Sequence, residues 1–269
     1  VQRSRFLPDP ERLSVLAASI LLAYALARFI NIPFREFEVQ FPGLFLSFNL
    51  NVQMIVTLLV ACLTASGADW LLRDHPRIGH KTYEHWLLPG LTALVIGLPL
   101  LQVEPGLAWW IGFALGGFLL MIVLVAEYIV VDSQDVRQPL AASSLTVVSF
   151  ALFLILAVTL RYTEIRLFFL LPALTLAIFL VSLRTLHLRN QKRWAILEAL
   201  LIALLVAEWT TVTYYLPLSP VSFGMVLLGP AYALTSLLAA LAEKKTIRQS
   251  ILEPAVVLLL VWGLAFWIR

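Results

Sequence analysis

Nine long apolar runs, rich in Leu and nearly free of charge, leave this chain one solvent in which to fold. They cover residues 13–30, 52–72, 86–101, 107–131, 140–160, 167–183, 194–214, 221–241 and 254–268. A helix crosses the hydrocarbon of a bilayer with about 20 apolar residues, in a range of roughly 17–25. Most of the runs reach that length; the third and the ninth are the short ones. Lipid offers the backbone no hydrogen-bond partner, so each span must satisfy its own bonds as a helix. The fold expected is an all-α integral membrane protein. It is a nine-span helical bundle forming a single transmembrane domain over 1–269.

Composition excludes the alternatives. The chain is 61% hydrophobic and 13% charged, against about 45–50% and about 25% in soluble domains. A globular core cannot hide that much apolar surface, so the first partner implied is the lipid bilayer. A net charge of +3 spread over short loops gives no basic patch for nucleic acid. The lone cysteine, Cys62, lies inside an apolar run, which rules out a disulfide within the chain and any Cys-based zinc site.

Basic residues orient the bundle. With the N-terminus in the cytosol, Arg3, Arg5, Arg12, Arg73, Arg77, Lys81 and Arg137 fall inside. So do Arg184, Arg189, Lys192, Arg193, Lys244, Lys245 and Arg248. Arg28, Arg35, Arg161, Arg166 and Arg269 fall outside. Fourteen of the 19 basic residues are then cytosolic, as the positive-inside rule requires of a chain with its C-terminus extracytoplasmic. The first run has a rival reading. Basic residues, an apolar stretch and the "ALA" of Ala25–Ala27 also fit a signal peptide with a cleavage site.

One segment breaks the helical pattern. "FEVQFPGLFLSFNLN" alternates about Pro42 and Gly43. With those two residues as the turn, Phe41 faces Leu44, Val39 faces Leu46 and Phe37 faces Phe48. Nearly every apolar side chain then lands on one side, as a period of two demands. The expectation is a short extracytoplasmic β-hairpin, residues 36–50, between spans one and two. It either caps the outer helix ends passively or acts as a lid over an outward cavity.

Short words recur at a fixed distance. "LLPGLT" at Leu87 returns as "LLPALT" at Leu170, "LVAE" at Leu124 returns at Leu205, and Pro139 returns as Pro220. The offsets are 83, 81 and 81 residues. Spans three to five (84–163) would then repeat as spans six to eight (167–245). Three helices per unit make the repeat inverted, a plan on which many secondary transporters are built. Short words in a Leu-, Ala- and Val-rich chain also recur by chance. On the repeat reading Glu127 and Glu208 are symmetry mates. Carboxylates inside spans usually face the bundle or a wet cavity, so both are candidate binding residues. Arg28, near the outer face, is the candidate partner of Glu208. Glu198 and Glu253 stand at helix starts, where the helix dipole accounts for them.

The richest polar loop, 69–86, reads "DWLLRDHPRIGHKTYEHW" and holds His75, His80 and His85. Its spacing matches no metal motif, and a basic, aromatic-edged loop at the headgroups is the commoner explanation. No Walker A, GxSxG or GxGxxG motif appears, so no cofactor is expected. No acid–base constellation is visible, so an enzyme is not favoured. A GxxxG at Gly112 and Gly116 lets helices approach closely within the bundle.

Two stretches, "EHWLLPGLTALVIGLPL" from Glu84 and "LVAEYIVVD" from Leu124, resemble an uncharacterised family of polytopic membrane proteins from Chloroflexota bacteria. The resemblance implies a bacterial cytoplasmic membrane and assigns no activity or catalytic residue. Two functions from different classes fit the chain. One is a translocator of a small or amphipathic solute built on the inverted repeat. The other is a non-catalytic scaffold or accessory subunit that binds other membrane subunits.

Overall fold

The computed structural model describes residues 8–29, 35–41, 44–50, 52–73, 75, 82–132, 134–190, 194–243 and 247–268. Nine α-helices, one 3-10 turn and two strands are formed among them. The chain divides into two compact units, Val1–Asp135 and Val136–Arg269. The boundary falls inside the first copy of the proposed repeat, 84–163, between its second and third helices.

The first unit holds α1 (Pro10–Phe29), β1 (Arg35–Phe41), β2 (Leu44–Leu50), α2 (Val52–Leu72), the 3-10 turn Tyr83–His85, α3 (Leu87–Gln102) and α4 (Leu107–Val130). β1 and β2 pair antiparallel with Phe37 opposite Phe48, Val39 opposite Leu46 and Phe41 opposite Leu44. The expected Pro42–Gly43 turn lies outside the described residues. α2 packs on both α1 and α3, and α4 packs on α3 and α1. The core between them is built from Leu16, Ile20 and Tyr24 of α1, Val60, Ala61 and Leu71 of α2, Ala93 of α3 and Leu120 and Leu124 of α4. The Tyr24 hydroxyl donates to the Ala93 carbonyl. It satisfies a polar tip that burial would otherwise leave without water.

The second unit holds α5 (Gln138–Tyr162), α6 (Leu167–Arg189), α7 (Ile196–Tyr214), α8 (Pro220–Ala242) and α9 (Ile247–Trp267). α5 packs on α6 and α8, α7 on α6 and α8, and α9 on α8. Small residues open the seams. A side chain on Gly224 would meet Leu154 and Val158 of α5, and one on Gly229 would meet Leu258 and Trp262 of α9. Ser182 and Thr235 share a buried 3.1 Å hydrogen bond between α6 and α8.

Two helix boundaries differ from the apolar runs. α6 continues past Leu183 to Arg189, and Arg184 is buried in it at 1% exposure instead of standing in a loop. α9 starts at Ile247, so Glu253 lies well inside the helix and accepts a 3.0 Å bond from the Tyr232 hydroxyl. It does not cap that helix. A charged residue ends an apolar run in the sequence, but it does not end a helix whose backbone bonds can continue.

Eight of the described helices, α2 to α9, include a segment long and apolar enough to cross a membrane. Among the described residues α1 (Pro10–Phe29) is the ninth helix, so each of the nine apolar runs of the sequence forms a helix.

Candidate functional site

Asp69 lies in the last turn of α2, which ends at Leu72. The chain returns at Thr82, makes one 3-10 turn through His85, and enters α3 after Trp86. Two short-range backbone bonds close the turn, His85 N–H to the Thr82 carbonyl at 3.0 Å and Trp86 N–H to the Tyr83 carbonyl at 3.3 Å. This tight coil suits three residues and not more. It delivers the His85 ring to the last turn of α4, where Glu127 is buried.

His85 Nδ1 lies 2.7 Å from Glu127 Oε2, and His85 Nε2 lies 3.3 Å from Glu84 Oε1. The His85 and Glu127 side chains are 4% and 1% exposed, so the bond between them is shielded from solvent. An ionised carboxylate only accepts, while a neutral imidazole donates from one nitrogen and accepts at the other. A ring with a carboxylate beside each nitrogen therefore has two ways to be satisfied. It takes a second proton and donates to both, or one carboxyl keeps a proton and donates to the ring. Either arrangement places a proton between the His85 ring and a carboxylate.

The surroundings are polar on the α2 side. Asp69 accepts from Arg73 Nε at 3.0 Å and Arg73 Nη2 at 2.8 Å, and from Trp86 Nε1 at 3.3 Å. It also accepts from the Thr82 hydroxyl. The Arg73 side chain is 72% exposed, so the ion pair itself adds little. The buried His75 ring meets Tyr128, the neighbour of Glu127, edge-on at 4.7 Å between centroids. Sequence reading found no acid–base constellation, and the structure assembles one. His85 and Glu127 are 42 residues apart, and only the packing of the turn against α4 joins them. The signal that could have pointed to it is a histidine at the very start of one apolar run and a glutamate near the end of the next.

The three candidate residues have different surroundings within their own units. Glu127 is at the centre of this group. Glu208 is exposed on α7, among exposed Leu204, Trp209 and Val212. Arg28 donates to the Val103 carbonyl at 2.9 Å, a backbone partner within its own unit. The matched words also sit at different depths in their helices. Pro89 is in the first turn of α3, whereas Pro172 is inside α6. Among the described residues no three His, Cys, Asp or Glu side chains converge as metal ligands; His80 lies outside the described residues. Gly116 faces Ile96 of α3, and Gly112 faces Leu100 of α3, so the GxxxG seam joins α4 to α3.

No curated protein and no solved structure matches the chain. Residues 32–268 match the model of a family described as "Protein of unknown function (DUF5656)", which takes in every element from β1 onward, and the chain belongs to that family.

Proposed function

We propose that this is an integral protein of a bacterial cytoplasmic membrane that carries a small or amphipathic solute in step with protons held by His85, Glu84 and Glu127. Membrane embedding is supported by eight helices of spanning length and by what they turn outward. Leu115 and Phe118 of α4, Leu201 and Leu204 of α7, and Leu259 and Leu260 of α9 are all exposed. Apolar faces of that extent are not sustained in water. The resemblance of the Glu84 and Leu124 stretches favours a bacterial cytoplasmic membrane. The distribution of Lys and Arg favours a cytosolic N-terminus and an extracytoplasmic C-terminus, with the β1–β2 hairpin on the outer face.

The observation that carries the reading is the 2.7 Å contact of His85 with Glu127 at almost no exposure. Ionisable groups at membrane depth are retained against a desolvation cost of a few kcal/mol, and Asp, Glu and His relays are how pumps and transporters move protons. The reading does not depend on an inverted repeat. To test it, purified protein is reconstituted in liposomes enclosing a pH-sensitive dye and challenged with a panel of small organic cations and acids. A solute-dependent pH change that Glu127→Gln removes is the expected result.

A second reading, a scaffold binding other membrane subunits, is favoured by Glu208, a carboxylate set on an otherwise apolar outward face. No solute-dependent pH change with any of the panel, together with recovery of one constant membrane partner, would put the scaffold reading in place of the first.

A further inference from the structure

We infer that Asp69 is the positioning residue of the proton-holding group. It clamps both ends of the 3-10 turn and thereby fixes His85 against Glu127. The inference rests on the reading of that group given above and extends it to a residue on α2. The turn spans only Tyr83–His85 and closes with two backbone bonds, too few to hold a ring in one place. Its N-cap residue, Thr82, does not cap it: the side chain makes no bond to the turn's own N–H groups. The Thr82 hydroxyl is donated to Asp69 instead. On the other side of the turn, Trp86 donates its indole N–H to Asp69 Oδ1 at 3.3 Å. One buried carboxylate on α2 thus ties down the residue before the turn and the residue after it. Arg73 occupies the remaining oxygen, Oδ2, at 2.8 Å, which keeps the carboxylate from rotating.

A carboxylate is the group this geometry calls for. Thr82, Trp86 and Arg73 all donate, and only an acceptor with lone pairs on both oxygens serves all three. An amide at the same place would turn an NH2 group toward at least one of them. Among the described residues, Glu84 and Glu127 face the ring, Tyr83 shares its turn, Asp69 with Arg73 stands at Trp86, and His75 packs on Tyr128. Of these, Asp69 contacts both flanks of the turn.

The test uses the full chain in lipid nanodiscs with 15N-labelled histidine. The His85 ring resonance is assigned by its loss in His85→Asn. The expected wild-type signature is a deshielded ring N–H proton, slow to exchange with water, that disappears in Glu127→Gln. In Asp69→Asn that proton should move upfield and exchange about tenfold faster, the effect of weakening one hydrogen bond, while the protein stays folded. An unchanged resonance in folded Asp69→Asn would overturn the inference. If that variant does not fold, Trp86→Phe and Thr82→Val each remove one arm of the clamp and keep the apolar bulk. Faster exchange in both supports the clamp, and an unchanged ring proton in both overturns it. The ring signal does not depend on any solute. Loss of the translocation reading in liposomes and loss of the clamp in the spectrum are therefore separate outcomes.

Discussion

Glu127 of α4 and His85 of the 3-10 turn meet at 2.7 Å, both buried, across 42 residues of sequence. Removing one member of such a pair leaves the other desolvated and uncompensated, which typically costs about 3–5 kcal/mol. Glu127→Ala and His85→Ala should each fall in that range. Glu127→Gln keeps a polar partner for the ring and should lose about 1–3 kcal/mol. The double variant His85→Ala with Glu127→Ala should lose clearly less than the sum, because neither orphan is left. Unfolding by a denaturing detergent added to micelles measures all four. Strict additivity would mean the two side chains do not act on each other.

α3 approaches its neighbours through glycines, and the two tightest differ from a looser one. A Cβ on Gly97 would stand 2.5 Å from Thr57 Cγ2 and 2.8 Å from Tyr24 Cε1, whereas one on Gly112 would meet Leu100 Cδ2 at 3.4 Å. Thr57 is branched at Cβ and Tyr24 is held by its bond to Ala93, so neither yields easily. Gly97→Ala should destabilise by about 1–3 kcal/mol through overpacking. Gly116→Ala, against Ile96 Cγ2 at 2.5 Å, should fall in the same range. Gly112→Ala should be neutral or stabilising, because alanine is the better helix former. Thermal unfolding of the three variants in one detergent gives the ranking.

How much of this was legible in the sequence depends on the range of the contact. The apolar run 107–131 and α4 (Leu107–Val130) nearly coincide, because a span's length is dictated by its own composition. The register with Val39 opposite Leu46 follows from alternation within 15 residues, which is also local. The inward face of α7 is harder to see, since the helix is apolar on every side. Ala199 and Ala203 are buried while Leu197, Leu201 and Leu204 are exposed. Small residues mark the packed seam, as helix contacts in membranes favour. Glu208 follows Ala199 by nine residues, which at 3.6 residues per turn is half a turn away from that seam. Its outward position could have been read that way. The meeting of His85 with Glu127 could not, because it depends on where a three-residue turn carries the ring.

That difference between the glutamates is measurable. Glu208 stands on the outer face of α7, so Glu208→Gln should change stability by no more than about 0.5 kcal/mol. Glu127→Gln should exceed it. If both variants destabilise equally, Glu208 is packed inside an assembly that the single chain does not display.

Glu164 sits just past α5 with φ of 52°. This left-handed geometry ends many helices and is ordinarily taken by glycine, which has no Cβ to clash with the following carbonyl. The Thr163 N–H bonds the Thr159 carbonyl and the Glu164 N–H bonds the Arg161 carbonyl, so the backbone conformation is already committed. Glu164→Gly should stabilise the second unit by up to about 1 kcal/mol after the added chain entropy is offset. Glu164→Val should destabilise it, because a β-branched residue at positive φ is strained. Melting temperatures that rise with valine and fall with glycine would contradict this account of the turn.

Threading is the prediction on which every sidedness argument rests. Fourteen of the 19 Lys and Arg residues lie on one side if the chain enters from the cytosol and crosses nine times, and basic residues in short loops resist translocation. Lys192 lies between α6 and α7 and the C-terminus follows α9, so three helices separate the two points. An odd number of crossings puts them on opposite sides. Fusions of a cytosol-only reporter and a periplasm-only reporter at each point should give opposite patterns, with Lys192 inside and the C-terminus outside. The count of α7, α8 and α9 alone decides this result, and α1, which carries three charged residues, does not enter it. A third fusion before α2 tests α1: it should report the outer face if α1 crosses the membrane and the inner face if it does not. The same side at Lys192 and at the C-terminus would mean that one of the last three helices lies along the membrane or re-enters it. α9, with Leu252, Leu259, Leu264 and Trp267 all exposed, would be the first to examine.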